Sequence, residues 1–163
     1  MGGLVKRSDK VAFFGVVNGD GVTYHRMKGF TDISVSRNPK EYSRQYVDEE
    51  FERTDVVGYA TSMAYGFDQH AGDSVHDDIV SIHDNELIGA DAVRSIIIVD
   101  FTKQENGGAY VARKRDFSVI PDGEGSSMDA YTYSGTLKTA GDTVVGTATS
   151  SDSWDTCTFV EGK

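Results

Sequence analysis

The sequence is short of cysteine, proline, basic residues and long apolar runs, and each shortage excludes something. A single cysteine, Cys157, has no internal partner for a disulfide, so nothing here requires an oxidising compartment. Sixteen Lys and Arg stand against 26 Asp and Glu, a formal net charge of -10. Neutralising phosphates takes a basic footprint, so that balance argues against an ordinary sequence-reading nucleic-acid binder and a polybasic membrane-surface module. The apolar run Ile96–Val99 is far too short to span a bilayer, and no N-terminal apolar stretch reads as a secretory signal. No membrane insertion is expected.

What is present describes strands. Eighteen Gly against two Pro, with abundant Thr, Val and Tyr, suit strands joined by tight turns. Turn signals at Asn18-Gly19, Asp20-Gly21, Asn38-Pro39, Gly107-Gly108, Asp122-Gly123 and Gly141-Asp142 separate strand-length segments. Among these, Arg94–Phe101 reads as a buried strand, and Met63, Tyr65 and Phe67 share one strand face. Further strands are expected over Val111–Ile120, Met128–Lys138, Thr143–Thr149 and Trp154–Val160. The expected class is mainly β, a β-sandwich or partly closed barrel, in one domain over 1–163. Residues 1–10 read as a loosely held N-terminal arm. One segment has a different period. Ser74 can cap a helix, and Val75, Ile79 and Ile82 recur at helical spacing, predicting one short flanking α-helix over about 75–83.

No catalytic constellation stands out. His70, His76 and His83 lie among Asp73, Asp77, Asp78 and Asp84, but no two His have the i, i+4 spacing that places two imidazoles on one metal. His76 and His83 are read as part of a solvated helix surface. Cys157 has no local cation or helix start to activate it and reads as a small core residue. No metal, no cofactor and no enzymatic activity are expected. Arg113-Lys114-Arg115 is the one basic triplet, and alternation turns Lys114 away from its neighbours. Arg113 and Arg115 are therefore candidates for charge pairing, within the chain or across a subunit boundary.

The charge is uneven along the chain. Residues 1–55 hold nine bases and nine acids; residues 56–163 hold seven bases and 17 acids. The excess is either a solvated face or a surface that repels something anionic. A charged stretch interrupts the early strands, giving a long strand-pair loop over about 48–60: Asp48, Glu49, Glu50, Phe51, Glu52, Arg53, Thr54, Asp55, Val56, Val57 and Tyr59. Its tip is too polar to fold onto its own core, and its few apolar residues look like anchors for another surface.

The run MKGFTDISVSRNPKEYSRQYVDEEFERTDVVGYATSMAYGFD, then VHDDIVSIHDNELIGADAVRSIIIVDF and KRDFSVIPDGEGSSMDAYTYSGTLK, resembles the major tail tube proteins of long-tailed bacteriophages. The resemblance lies in the order of elements over about Val11 to Phe159. It implies a β-sandwich that assembles as homohexameric rings stacked into a hollow tube, with DNA as transient cargo. It also implies a tape-measure protein and tail terminator and initiator proteins as partners. The location would be the virion tail tube, reached from the host cytoplasm during assembly. The long loop and the arm residues Leu4, Val5, Lys6 and Arg7 would bridge subunits or rings. The related inner tubes of contractile phage-like particles and type VI secretion share this fold and are an alternative. A less favoured alternative is a monomeric carbohydrate-binding module stacking sugars on Tyr24, Tyr59, Tyr131, Tyr133 and Trp154.

Overall fold

The computed structural model describes residues 2–162; Met1 of the expected arm and Lys163 lie outside the described residues. Strands β1 (Lys10–Asn18) and β2 (Gly21–Arg26) form a hairpin about the Asn18–Gly21 turn. Strand β3 (Phe30–Ser36) pairs with β6 (Ser62–Asp68), and between them β4 (Pro39–Arg44) pairs only with β5 (Arg53–Tyr59). Helix α1 (Ser74–Asp84) precedes the long strands β7 (Val93–Gln104) and β8 (Tyr110–Glu124). The chain closes with β9 (Thr132–Thr139), β10 (Val144–Thr149) and β11 (Thr156–Glu161). Nine strands make one antiparallel sheet in the order β10-β11-β2-β1-β7-β8-β9-β6-β3, and an extra β10–β8 pairing curls one end of it shut. The expected partly closed barrel is therefore present, with six strands in the barrel and β9, β6 and β3 continuing outward.

Strand β8 forks the sheet. Its first half, Tyr110–Lys114, pairs with β10, and its second half, from Phe117, pairs with β9. Strands β10 and β11 approach closely: a Cβ on Gly146 of β10 would lie 2.1 Å from the Val160 carbonyl oxygen, so only glycine fits there.

Alternation sorts β1 and β7 between two cores. Val11, Phe13, Ile97 and Val99 point into the barrel with Ala112, Ala148 and Cys157. Trp154 closes that core, packing edge-on against Phe101 at 5.0 Å and Tyr110 at 5.6 Å between ring centroids. Ala12, Phe14 and Ile96 point the other way, to a second core under α1 that includes Met63, Tyr65, Phe67, Phe117, Val119, Tyr133 and Leu137. Both faces of β1 and β7 are thus covered, which is why their sequences run apolar without alternation. Ile98 sits at the margin of the second core, half-exposed.

The helix matches its expected position, extended by one residue at each end. Its cap is Asp73 and not Ser74: one carboxylate oxygen accepts from the Val75 and His76 amides at 3.0 and 3.1 Å. Val75, Ile79 and Ile82 are buried as the spacing predicts. Asp78 on α1 receives two hydrogen bonds from Arg94 at the start of β7, at 2.7 and 3.2 Å, in a largely enclosed pair.

Three more expectations are corrected. The long loop is shorter than 48–60: the turn spans 45–52, and Arg53–Tyr59 is strand β5, missed because it carries almost no buried face and so no alternation. Strand β9 starts at Thr132, not Met128, and leaves Met128 and Tyr131 exposed outside it. His76 and His83 belong to the core and not to a solvated surface. The His76 ring is fully enclosed, accepting at Nδ1 from the His70 amide at 2.9 Å, which assigns its proton to Nε2 for donation to the Lys28 carbonyl at 2.6 Å. His83 Nε2 lies 2.7 Å from the Tyr65 hydroxyl.

Burial holds the His83 pKa below its ordinary value, against an opposing pull from Glu124 and Asp84. A lowered folded-state pKa means that the unfolded chain binds the proton first as pH falls. Stability is then full above pH ~6.5 and declines as pH drops from there toward the folded-state pKa. The expected result is a Tm of the monomer that falls between pH 7.5 and 5.5 by more in the native sequence than in His83→Gln, read by calorimetry.

Candidate functional site

The residues singled out in the sequence fall on three neighbouring features: a projecting hairpin, the arm, and a basic groove between them.

The hairpin continues the β3–β6 ribbon beyond the body. The ribbon turns at Asn38, whose backbone takes φ 47°, a left-handed value that Asn tolerates better than most residues. Its side-chain amide donates to the Ala60 carbonyl at 3.0 Å and to Ser62 Oγ at 3.2 Å, tying the two legs together at the base. Further out, Ser43 and Thr54 hydroxyls meet at 2.9 Å, and the Arg44 guanidinium lies over the Tyr42 ring, 3.9 Å from its centroid. A two-stranded ribbon is marginal alone in water, and every residue of β4 and all but one of β5 are exposed. Phe51 is 79% exposed, Val57 65% and Tyr59 60%; Val47 and Val56 also face solvent. The turn itself carries Asp48, Glu49, Glu50 and Glu52 and no base.

The arm runs beside β3. Its Lys6 amide donates to Asp9 at 2.7 Å, closing a 3-10 turn over Arg7–Asp9. Arg7 donates to the Lys10 and Ile33 carbonyls at 2.6 and 3.0 Å, so it is committed within its own chain. Leu4 and Val5 remain exposed.

Between the arm, β3 and the outward face of β1, β7 and β8 lies a groove of about 810 Å³. Alternation and register build it. Ala12, Ile98 and Arg113 stand side by side across three strands, and one step along lie Lys10, Asp100 and Val111. The floor is apolar, from Ile96, Ile98, Met63 and Phe117; the walls hold Lys6, Arg7, Lys10, Arg37, Lys103, Arg113 and Arg115, with Asp100 as the one acid. A hydrogen bond from Thr102, aided by Lys10 and Lys103, holds the Asp100 carboxyl below the usual range. Arg113 and Arg115 thus share a surface, as their spacing implies, while Lys114 turns to the far side beside the Phe159 ring. Arg115 donates to the Gly141 carbonyl at 2.7 Å, and neither arginine forms an ion pair among the described residues. The groove escapes sequence reading because its cations come from four separate segments of an acidic chain.

Among the described residues, no three His, Cys, Asp or Glu side chains converge as metal ligands. Burial, helped by Asp152, pushes the Cys157 thiol up to about 12, leaving it protonated at neutral pH. The proposed sugar-stacking aromatics are dispersed: Tyr133 is buried, Trp154 belongs to the barrel core and Tyr59 lies on the hairpin. No described helix is long and apolar enough to cross a membrane.

No family model matches the sequence. No curated protein matches it either. Solved structures do share the fold. A chain of the SPP1 tail tube superposes with a TM-score of 0.68 at 14% identity, over 87% of this chain and 78% of that one. A chain from the tail of an empty GTA particle, refined with helical C6 symmetry, gives 0.60 at 11% identity over 86% and 97%. A chain of the six-fold symmetrised anti-feeding prophage baseplate gives 0.53 at 8% identity over 89% and 97%. At these identities the likeness is one of fold.

Proposed function

We propose that this protein is the structural subunit of a tail tube, assembling through its hairpin and sheet edge into six-membered rings that stack into a hollow conduit for DNA. The observation that carries the reading is the β4–β5 hairpin, a ribbon with apolar residues on display whose two strands pair, among the described residues, with each other alone. Strand β3 adds an open edge, paired on one side only. Lateral contacts of this kind close a ring when the rotation allows, while an axial head-to-tail contact propagates into a filament. The fold shared with the SPP1 tail tube and the C6 tail of the GTA particle supports the same reading.

In this account the protein has no catalytic role. Its location is the virion tail, and its other partners are a tape-measure protein and terminator and initiator proteins. A ring of six would carry six times the -10 of one chain. Acidic residues facing the bore would repel DNA phosphates, so that the duplex passes without sticking. The likeness to the anti-feeding prophage baseplate favours a second reading, the inner tube of a contractile phage-like particle; a sheath gene beside this one would select it.

The test is assembly of the purified chain. Negative-stain imaging of concentrated protein is expected to show rings or hollow rods, and these are expected to retain no duplex DNA on a sizing column at physiological salt. A monomer at every concentration contradicts the tube reading, and tight DNA retention contradicts the cargo role.

A further inference from the structure

The groove and the hairpin tip are matched in charge and in chemistry. Seven cationic side chains and one acid surround an apolar floor on a molecule whose overall charge is strongly negative. Lys10, Arg37, Lys103 and Arg113 form no ion pair among the described residues, and neither do Asp48, Glu49, Glu50 or Glu52 at the tip. Concentrating seven cations around the single carboxylate of Asp100 costs stability through their mutual repulsion, which an acidic occupant relieves. An apolar floor beneath charged walls suits an acidic peptide with an apolar anchor better than a phosphate backbone. Phe51, flanked by Glu50 and Glu52, has that composition. The groove volume falls within the roughly 300–1,000 Å³ that accommodates a drug-sized ligand or a few side chains.

The tip cannot fill the groove of its own chain. Arg37, on the groove wall, stands at the base of the hairpin, and the six residues of β4 carry the turn about 20 Å away from it. The backbone pairing of β4 with β5 keeps the ribbon extended, with every residue of β4 exposed.

We propose that the acidic hairpin tip of one copy docks in the basic groove of another, with Phe51 on the Ile96–Ile98 floor and Asp48, Glu49, Glu50 and Glu52 against the cations of its walls. This rests on the tube reading above and names its contact. The contact joins two different surfaces, so it is heterologous and can join successive copies without limit. The arm beside the groove then acts as a wall of the receptor, with Val5 exposed at its rim.

Two full-length variants test it, Glu49→Lys/Glu50→Lys at the tip and Lys103→Glu/Arg113→Glu in the groove. Each alone is expected to lower the assembled fraction at least tenfold in sedimentation, and combining all four in one chain is expected to restore it. In parallel, a cyclic peptide of residues 44–53 is titrated against the native chain diluted to monomer. Binding is expected, at least tenfold weaker to the groove variant and to a peptide carrying Phe51→Ala, and weakened by salt. Charge-reversed variants that build rods as well as the native chain does, with no peptide binding, overturn the docking and leave the tube reading standing. Native chains that never assemble yet bind the peptide through the groove contradict the tube reading and support the docking.

Discussion

Ile97→Asp is expected to yield a chain that does not fold. Ile97 has no exposed surface and lies inside the barrel with Val11, Phe13 and Val99. The substitution loses the transfer energy of an aliphatic side chain, about 2–3 kcal/mol, and buries a carboxylate among apolar side chains, where its cross-strand neighbour Lys114 extends to the Phe159 ring. Together these exceed about 4–5 kcal/mol, against a total stability of about 5–15 kcal/mol for a domain. The neighbouring Ile98→Asp is expected to fold. Its side chain points to the opposite face, half-exposed in the groove, with Arg113 directly across the strand pair. A loss of about 1–2 kcal/mol would lower Tm by about 2–8 °C. Circular dichroism of the two purified variants checks both; similar behaviour of the pair would refute the assignment of β7 between two cores.

That pair also marks a boundary of what the sequence reveals. The run Ile96–Val99 identifies a buried strand, and both isoleucines look equally essential. Only the sheet's curvature separates them, since one face meets the barrel interior and the other runs out from under α1 into an open groove. The helix was legible because Val75, Ile79 and Ile82 lie on one face of a self-contained segment. Its histidines were misjudged because their acidic neighbours point outward while the rings point in, and adjacent sequence says nothing about that difference. Phe51, Val56, Val57 and Tyr59 stand out in the sequence by their isolation among charges, and all four are exposed. The strand that carries Val56, Val57 and Tyr59 does not stand out, because a ribbon exposed on both faces has no hydrophobic period. The groove was invisible for a different reason. Lys10, Arg37, Lys103 and Arg113 are brought together by strand register alone, far apart along an acidic chain.

The second large effect concerns assembly without folding. Phe51→Ser with Tyr59→Ser is expected to leave Tm within about 1–2 °C of the native chain, because both rings face solvent and touch neither core. The assembled fraction should fall at least tenfold. Aromatic residues at the centre of an interface commonly account for about 2–4 kcal/mol each on truncation, and each 1.4 kcal/mol is a factor of ten in affinity. Sedimentation velocity and thermal melts on the same preparation separate the two effects. A large drop in Tm would place these rings in the core of the single chain and remove the hairpin from the assembly account.

The most direct test is a cryo-EM reconstruction of the purified chain at high concentration. The account predicts a hollow cylinder of six-membered rings in which the β4–β5 ribbon and the β3 edge lie against other copies, with Phe51 enclosed at a boundary between them. A particle whose ribbon folds back onto its own body, leaving copies with no shared boundary at β3 or Phe51, would contradict it.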